Sequence, residues 1–256
     1  MKFIPVRILL LFIIGSHTIP SLQAQDESAF EIMKKNDALP EPTDNQARIE
    51  LLLKDKRGNT IHRSLDSYTL KTSFGYNSLI EVVSPADITG MRLLSIAQTG
   101  EDDQRLYLPS FGKSRKISSS GKTGKFLGSD IYFYDLEDHD LDEFTYRFDG
   151  EKEWDGQNYY IIESTPKDKN APYSKTTHWV NAADYFVYKS EMYDEKGRLL
   201  KTLVVNKTKT DDGIILPVDM TITNVQQKHS TEYHLIRNQI NTGISPDIFT
   251  VKYLGN

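Results

Sequence analysis

From Gln46 to its end the chain alternates apolar and polar residues in short runs, each bounded by a turn signal. Ala47, Ile49, Leu51 and Leu53 interleave with Arg48, Glu50 and Lys54, and Lys56-Arg57-Gly58-Asn59 ends that run. The same pattern predicts strands over Thr60 to Thr72, Asn77 to Val83, Met91 to Ala97 and Gln104 to Leu108. It resumes over Glu143 to Phe148, Tyr159 to Thr165, Lys175 to Asn181 and Tyr185 to Tyr193. Arg198 to Lys207, Ile214 to Asn224, His229 to Asn238 and Phe249 to Tyr253 complete the set. Asp194-Glu195-Lys196-Gly197 and Asp211-Asp212-Gly213 read as hairpin turns. About a dozen strands on tight turns predict one antiparallel meander.

Strand twist accumulates across so many strands, so the sheet must curl. Helices to fill the bend are scarce. Residues 27–38 place Ala29, Ile32 and Met33 on one helical face until Pro40 stops the helix, and a second short helix is expected near Ser129 to Leu136. The expected fold is therefore mainly β: one strongly curved antiparallel sheet, an incomplete or half barrel, with short helices capping a hydrophobic cavity. A solidly packed β-sandwich is the alternative.

The first 24 residues are expected to lie outside the fold. Lys2 and Arg7 precede the apolar run Ile8 to Ile14, and Pro20, Ser21 and Ala24 lead to a cleavage site near Ala24, the layout of a signal peptide. That run is about half of the roughly 20 residues a membrane-spanning helix needs. Residues 25–256 then form a single exported domain, expected in the periplasm. Cysteine is absent, so neither a disulfide nor a lipid on an N-terminal cysteine is available. Loss of Lys2 and Arg7 moves the formal charge from −5 to about −7, which argues against a nucleic-acid partner.

Catalytic and metal-binding patterns are missing. His229 and His234 are five apart on a strand and face opposite sides, and the acidic run around His139 lacks the glycine and glutamate of a calcium loop. Gly128-Ser129-Asp130 has no nucleophile elbow, and no glycine loop suits a phosphate. No cofactor, no metal and no enzymatic activity are expected.

The stretch from Gln104 to Asp135 carries the strongest functional signal. A short apolar strand ends at Pro109, a flexible basic segment follows with Lys113, Arg115, Lys116, Lys122 and Lys125, and an aromatic cluster closes it. Together, Tyr107-Leu108-Pro109, Arg115-Lys116-Ile117-Ser118 and Phe126-Leu127-Gly128-Ser129-Asp130 resemble the outer-membrane lipoprotein-sorting (LolA-like) family. Ser84-Pro85-Ala86-Asp87, Tyr173-Ser174-Lys175 and Gly197-Arg198-Leu199-Leu200-Lys201 extend the resemblance along nearly all of the chain after residue 24. It implies a LolA/LppX-like incomplete barrel that ferries acylated lipoproteins, or lipids, through the periplasm. The implied partners are an inner-membrane transporter or release complex and an outer-membrane acceptor; separately, a monomer is expected. An accessory lipid-binding role beside an inner-membrane exporter is the second reading, and a structural or adhesive β-protein the third.

A buried acyl chain is held by about 0.8 kcal/mol per methylene, so a carrier must offer a greasy cavity with a movable cover. The residues expected to line or cover it are Ile32, Met33, Leu93, Leu106, Leu108, Phe126, Leu127, Tyr132, Phe133 and Trp179. Arg92, Lys113, Arg115 and Lys116 are the candidates for contact with a headgroup or partner, Arg115 and Arg92 being rivals for the family's critical arginine.

Overall fold

The computed structural model describes residues 27–255, so the signal-peptide reading falls outside the described residues. Helix α1 (Glu27–Asp37) is followed by β1 (Asp44–Lys54), β2 (Thr60–Thr72), β3 (Gly75–Ser84), β4 (Arg92–Ile96), β5 (Asp103–Leu108) and β6 (Lys113–Lys116). Then come β7 (Phe144–Trp154), β8 (Gln157–Pro166), β9 (Lys175–Asn181), β10 (Val187–Tyr193), β11 (Leu199–Asp211), β12 (Ile214–Asn224), β13 (His229–Ile240) and α2 (Val251–Leu254). The 13 strands form one antiparallel sheet in the order β6-β5-β4-β3-β2-β1-β13-β12-β11-β10-β9-β8-β7. Two meanders thus meet where β1 pairs with β13. The sheet does not close into a barrel, because β6 and β7 are free edges. Both edges carry charge, Lys113, Arg115 and Lys116 on one and Glu151, Lys152 and Glu153 on the other, which discourages pairing with another chain.

Turn chemistry sets the hairpins. In the β1–β2 turn the Asp55 carboxylate accepts the backbone N–H groups of Arg57 (2.7 Å) and Asn59 (2.9 Å). Asp194 does the same work before β11, accepting the Arg198 N–H at 2.9 Å and its guanidinium at 2.7 Å.

Register places side chains from successive strands on the shared concave face. Leu106 stands opposite Leu93, Leu93 opposite Ile80, and Leu51 opposite Tyr233. The face continues through Tyr233–Met220, Ile222–Leu203, Leu203–Ser190 and Ser190–His178 to His178–Ile162. Over β7 to β9, α1 covers this face by burying Ala29 and Met33 against Tyr146, Ile162 and Val180. Leu79 and Leu94 point to the opposite face, where Phe249 and Leu254 cover them.

Three local expectations are corrected. Phe249 to Tyr253 is not a strand: Pro246 starts a 3-10 turn, Thr250 caps α2 by accepting the Tyr253 N–H, and the pair of elements packs on the outer face rather than capping the concave one. The basic segment contains the edge strand β6, whose register with β5 runs from Arg105–Lys116 to Leu108–Lys113. Near Ser129 to Leu136 there is only one 3-10 turn, Tyr134–Leu136, because side chains take the N–H groups of Asp130 and Tyr132.

With both faces covered here, the neighbours Leu93 (1% exposed) and Leu94 (0%) are equally buried on opposite sides. Leu93→Ala and Leu94→Ala are each expected to lower stability by about 2–5 kcal/mol in urea unfolding. A cost near zero for either would show that face to be open to water.

Candidate ligand cavity

Because β6 and β7 lie at opposite edges, the connection from Ile117 to Glu143 crosses the width of the sheet. Its first half plugs the concave face of β1 to β5. Phe126 and Phe133 meet edge to face with ring centroids 5.9 Å apart and pack with Leu127 against Leu51, Leu65, Val82 and Leu93. Between Phe126, Leu127, Leu93 and Leu106 there is no room for a water molecule. The turn that follows is tied to β13. Fully buried Asp130 accepts the Thr231 hydroxyl at 2.9 Å and lies 2.6 Å from His229 Nδ1, while Ser129 Oγ donates to the Phe126 carbonyl at 2.6 Å.

The second half of the crossing does not fill the space beneath it. A hollow of about 550 Å³ remains, bounded by Ile131 and Leu136 of the crossing, Met33 of α1, and Leu203, Met220, Ile222 and Tyr233 of the sheet. That volume falls in the roughly 300–1,000 Å³ range of small-ligand sites. His178 on the floor is bonded to Ser164 Oγ (2.9 Å) and Ser190 Oγ (3.0 Å). Burial pushes its pKa down to about 4, so the imidazole is neutral near pH 7.

At the wall sits Lys201, fully buried in phase with Leu203 on β11. Its Nζ lies 3.4 Å from Asp135 Oδ2, donates to Tyr173 OH at 3.0 Å, and stands 3.0 Å from the Tyr132 ring centroid. Tyr173 OH in turn donates to Asp135 Oδ1 at 2.7 Å and its ring stacks on Tyr132. Burial pulls the lysine pKa down to about 8, against the opposing pull of Asp135. Burial, with Asp135 beside it, raises that of Tyr173. These four residues fasten the crossing segment to the sheet.

A second, polar hollow of about 440 Å³ adjoins the first, sharing Tyr134, His139, Phe144 and Pro166 with it. Asp102, Lys122, Glu137 and Asp138 are among its walls. Buried Lys122 lies 2.6 Å from Glu137 and 3.4 Å from Glu101. Burial pushes the Asp102 carboxyl up to about 6. Asp138 reaches the β2–β3 turn, accepting the Tyr76 N–H at 3.1 Å; Gly75 there has φ +118°, a backbone that favours glycine, and a Cβ on it would also crowd Asp138 Oδ2. Among the described residues, no three His, Cys, Asp or Glu side chains converge as a metal site.

Of the residues expected at the cavity, Met33 lines the hollow, and Ile32 lies beside it in the α1 packing. Leu93, Leu106, Phe126, Leu127 and Phe133 are placed together, but in the plugged half. Leu108, half-buried two residues beyond Leu106, lines neither hollow. Tyr132 covers Lys201. Trp179 lies on the outer face with Tyr159 and Ile161, under the Lys189 ammonium at 4.1 Å. Arg92 is also outside, between the Tyr107 and Tyr253 rings and 3.3 Å from Glu81. Lys113, Arg115 and Lys116 stay exposed on the β6 edge, Lys116 3.4 Å from Asp103. Lys201 and Asp135 were not expected, although a lysine in phase with the buried positions of β11 is a readable signal.

A protein-family profile described only as "uncharacterized protein" matches residues 75–256. A crystal structure from Vibrio parahaemolyticus, of a domain assigned to outer-membrane lipoprotein sorting, is 31% identical with a TM-score of 0.85, covering 89% of this chain and 98% of that one. The chain belongs to the LolA-like family of lipoprotein-sorting domains. A DUF1329-family protein from Desulfovibrio piger is 27% identical with the same TM-score, 0.85, over 89% of this chain and 98% of its own. A LolA superfamily protein from Nitrosomonas europaea shares the fold at 20% identity and a TM-score of 0.71, with 88% and 98% covered. No curated protein matches the chain.

In this LolA-like chain the Lys201 tie has a bounded strength. The folded pKa, about 8, is below the ordinary lysine value of 10.5, so the buried ammonium weakens folding below pH 8 and that cost fades as pH rises from 8 to 10.5. If Asp135 is removed, the lysine simply deprotonates near neutrality. Asp135→Asn is therefore expected to lose only about 1–2 kcal/mol at pH 7, less than the ~3–5 kcal/mol of most broken buried pairs, and almost nothing at pH 9. Denaturant midpoints at the two pH values test this; an equal loss at both would show that Lys201 does not titrate as described.

Proposed function

We propose that the protein is a periplasmic carrier that shields one acyl chain of a lipid or lipoprotein in the 550 Å³ hollow on the way to the outer membrane. One observation carries this reading: the crossing segment covers apolar space that the chain's own side chains leave empty. Leaving such space empty forfeits dispersion contacts, so an apolar guest is favoured there. The floor accepts a chain without penalty, because His178, Ser164 and Ser190 satisfy one another. The Vibrio relative, assigned to outer-membrane lipoprotein sorting, supports the same class of cargo. The hollow has the volume of a single small-ligand site, which favours one chain over the several of a fully acylated lipoprotein.

The role needs no catalysis. Transfer requires a donor and an acceptor membrane component, and release requires the crossing segment to lift. The charged ties at Lys201 and Asp135 suit that demand better than a fused apolar core, since they hold position while adding little net stability.

Native mass spectrometry of the protein recovered from periplasm tests the proposal. The expected result is a bound acyl species. Leu203→Trp, which fills the hollow from its sheet wall, should cut its occupancy by about tenfold while leaving the fold intact. Repeated recovery of ligand-free protein from lipid-containing extracts would refute the carrier reading.

A further inference from the structure

On the acyl-chain reading the guest has a polar end, and the second hollow adjoins the space that would hold its tail. The hollows share Tyr134, His139, Phe144 and Pro166, so a ligand too long for the first continues into the second. Eight carboxylates line this vestibule against one ammonium, that of Lys122. Lys122 is already committed to Glu137 and Glu101 at 2.6 and 3.4 Å and His139 is bonded to Glu143 at 3.0 Å, so the remaining carboxylates have no lysine or arginine partner among the lining residues.

The decisive observation is Asp102. This residue is only 7% exposed; the Asp138 backbone N–H serves its carboxyl, but its Oδ2 has no hydrogen-bond partner. A buried carboxylate oxygen without a donor is costly, and a donor or a positive charge brought to it lowers that cost. A metal ion is a poor candidate, because no three ligating side chains converge among the described residues. An organic ammonium asks for less: dispersed carboxylates and aromatic faces. Tyr134, His139 and Phe144 provide those faces at the junction, with ring centroids 4.4 and 5.8 Å apart in sequence.

We propose that the vestibule selects a lipid whose headgroup carries an ammonium, with Asp102 as the buried contact and the aromatic junction as the collar between tail and head. This assignment rests on the acyl-chain reading and adds the sign of the headgroup to it. It also excludes the exposed bases of β6 as the headgroup site, since Lys113, Arg115 and Lys116 line neither hollow.

The test compares three amphiphiles of equal tail length, dodecylammonium, dodecyl maltoside and dodecanoate, by calorimetry on the full chain below their micelle concentrations. Dodecylammonium is expected to bind about tenfold or more tightly than the maltoside, with dodecanoate weakest. The preference should shrink to about threefold or less in Asp102→Asn and in 0.5 M salt. Because Asp102 is buried, the double variant Asp142→Asn/Asp168→Asn, both exposed, is measured beside it and should weaken the preference in part. Equal affinity for the three overturns the headgroup assignment while leaving the acyl reading standing. A preference that survives both variants overturns the vestibule as its source. Failure of all three to bind overturns both proposals.

Discussion

The structure depends on one topological constraint: the strand that ends the first meander and the strand that begins the second lie at opposite edges of the sheet. The connection between β6 and β7 has no short route. It must cross a face, and the concave face is where a curled sheet leaves space. Cover and hollow are therefore products of a single connection rather than of an added domain. Had β7 paired beside β6, a tight turn would have joined them and the concave face would have needed some other cover.

What holds the crossing in place differs along its length. Over β1 to β5 it is fixed by filling: Phe126 and Phe133 take the volume between the strands and leave none. At its middle it is fixed by hydrogen bonds, with Asp130 on Thr231 and His229. Over β11 it is fixed by charge, with Asp135 and Tyr132 about Lys201. Filling is strong but excludes a guest. Polar ties hold the cover from its rim and leave the volume beneath it free, at the cost of desolvating a lysine.

Much of this was legible in the sequence, and the limits are instructive. The bounds of β2, β9 and β12 coincide with the alternating runs; Asp- and Gly-bearing turns mark the starts of β2 and β12, and Pro172 precedes β9. β6 was hidden, since Lys113 to Lys116 alternates nothing apolar and pairs only through its backbone. α2 was hidden by its own shortness, its apolar residues reading as a strand. The aromatic cluster at Phe126 to Tyr134 was readable as the cover, yet local pattern cannot say that its first rings would plug and its last would roof. Trp179 shows the same limit: alternation separates it from His178 and Val180 but does not name the concave side. The pairing of β1 with β13, which decides which edges remain, has no local signature at all.

The two hollows differ in how their buried polar groups are satisfied, and that difference gives the site a direction. In the first, His178, Ser164 and Ser190 consume one another's hydrogen bonds, so the floor presents an effectively apolar surface despite its composition. In the second, Asp102 keeps an unpaired oxygen beside further carboxylates. Burial pushes both groups towards their neutral forms: it leaves His178 neutral near pH 7, whereas the Asp102 carboxyl, raised only to about 6, is still ionised there. An amphiphile bound across the junction meets a surface that asks for nothing and then one that asks for positive charge, so its two ends are not interchangeable. Orientation is thereby set by the satisfaction of hydrogen bonds at least as much as by the apolar area the cavity offers.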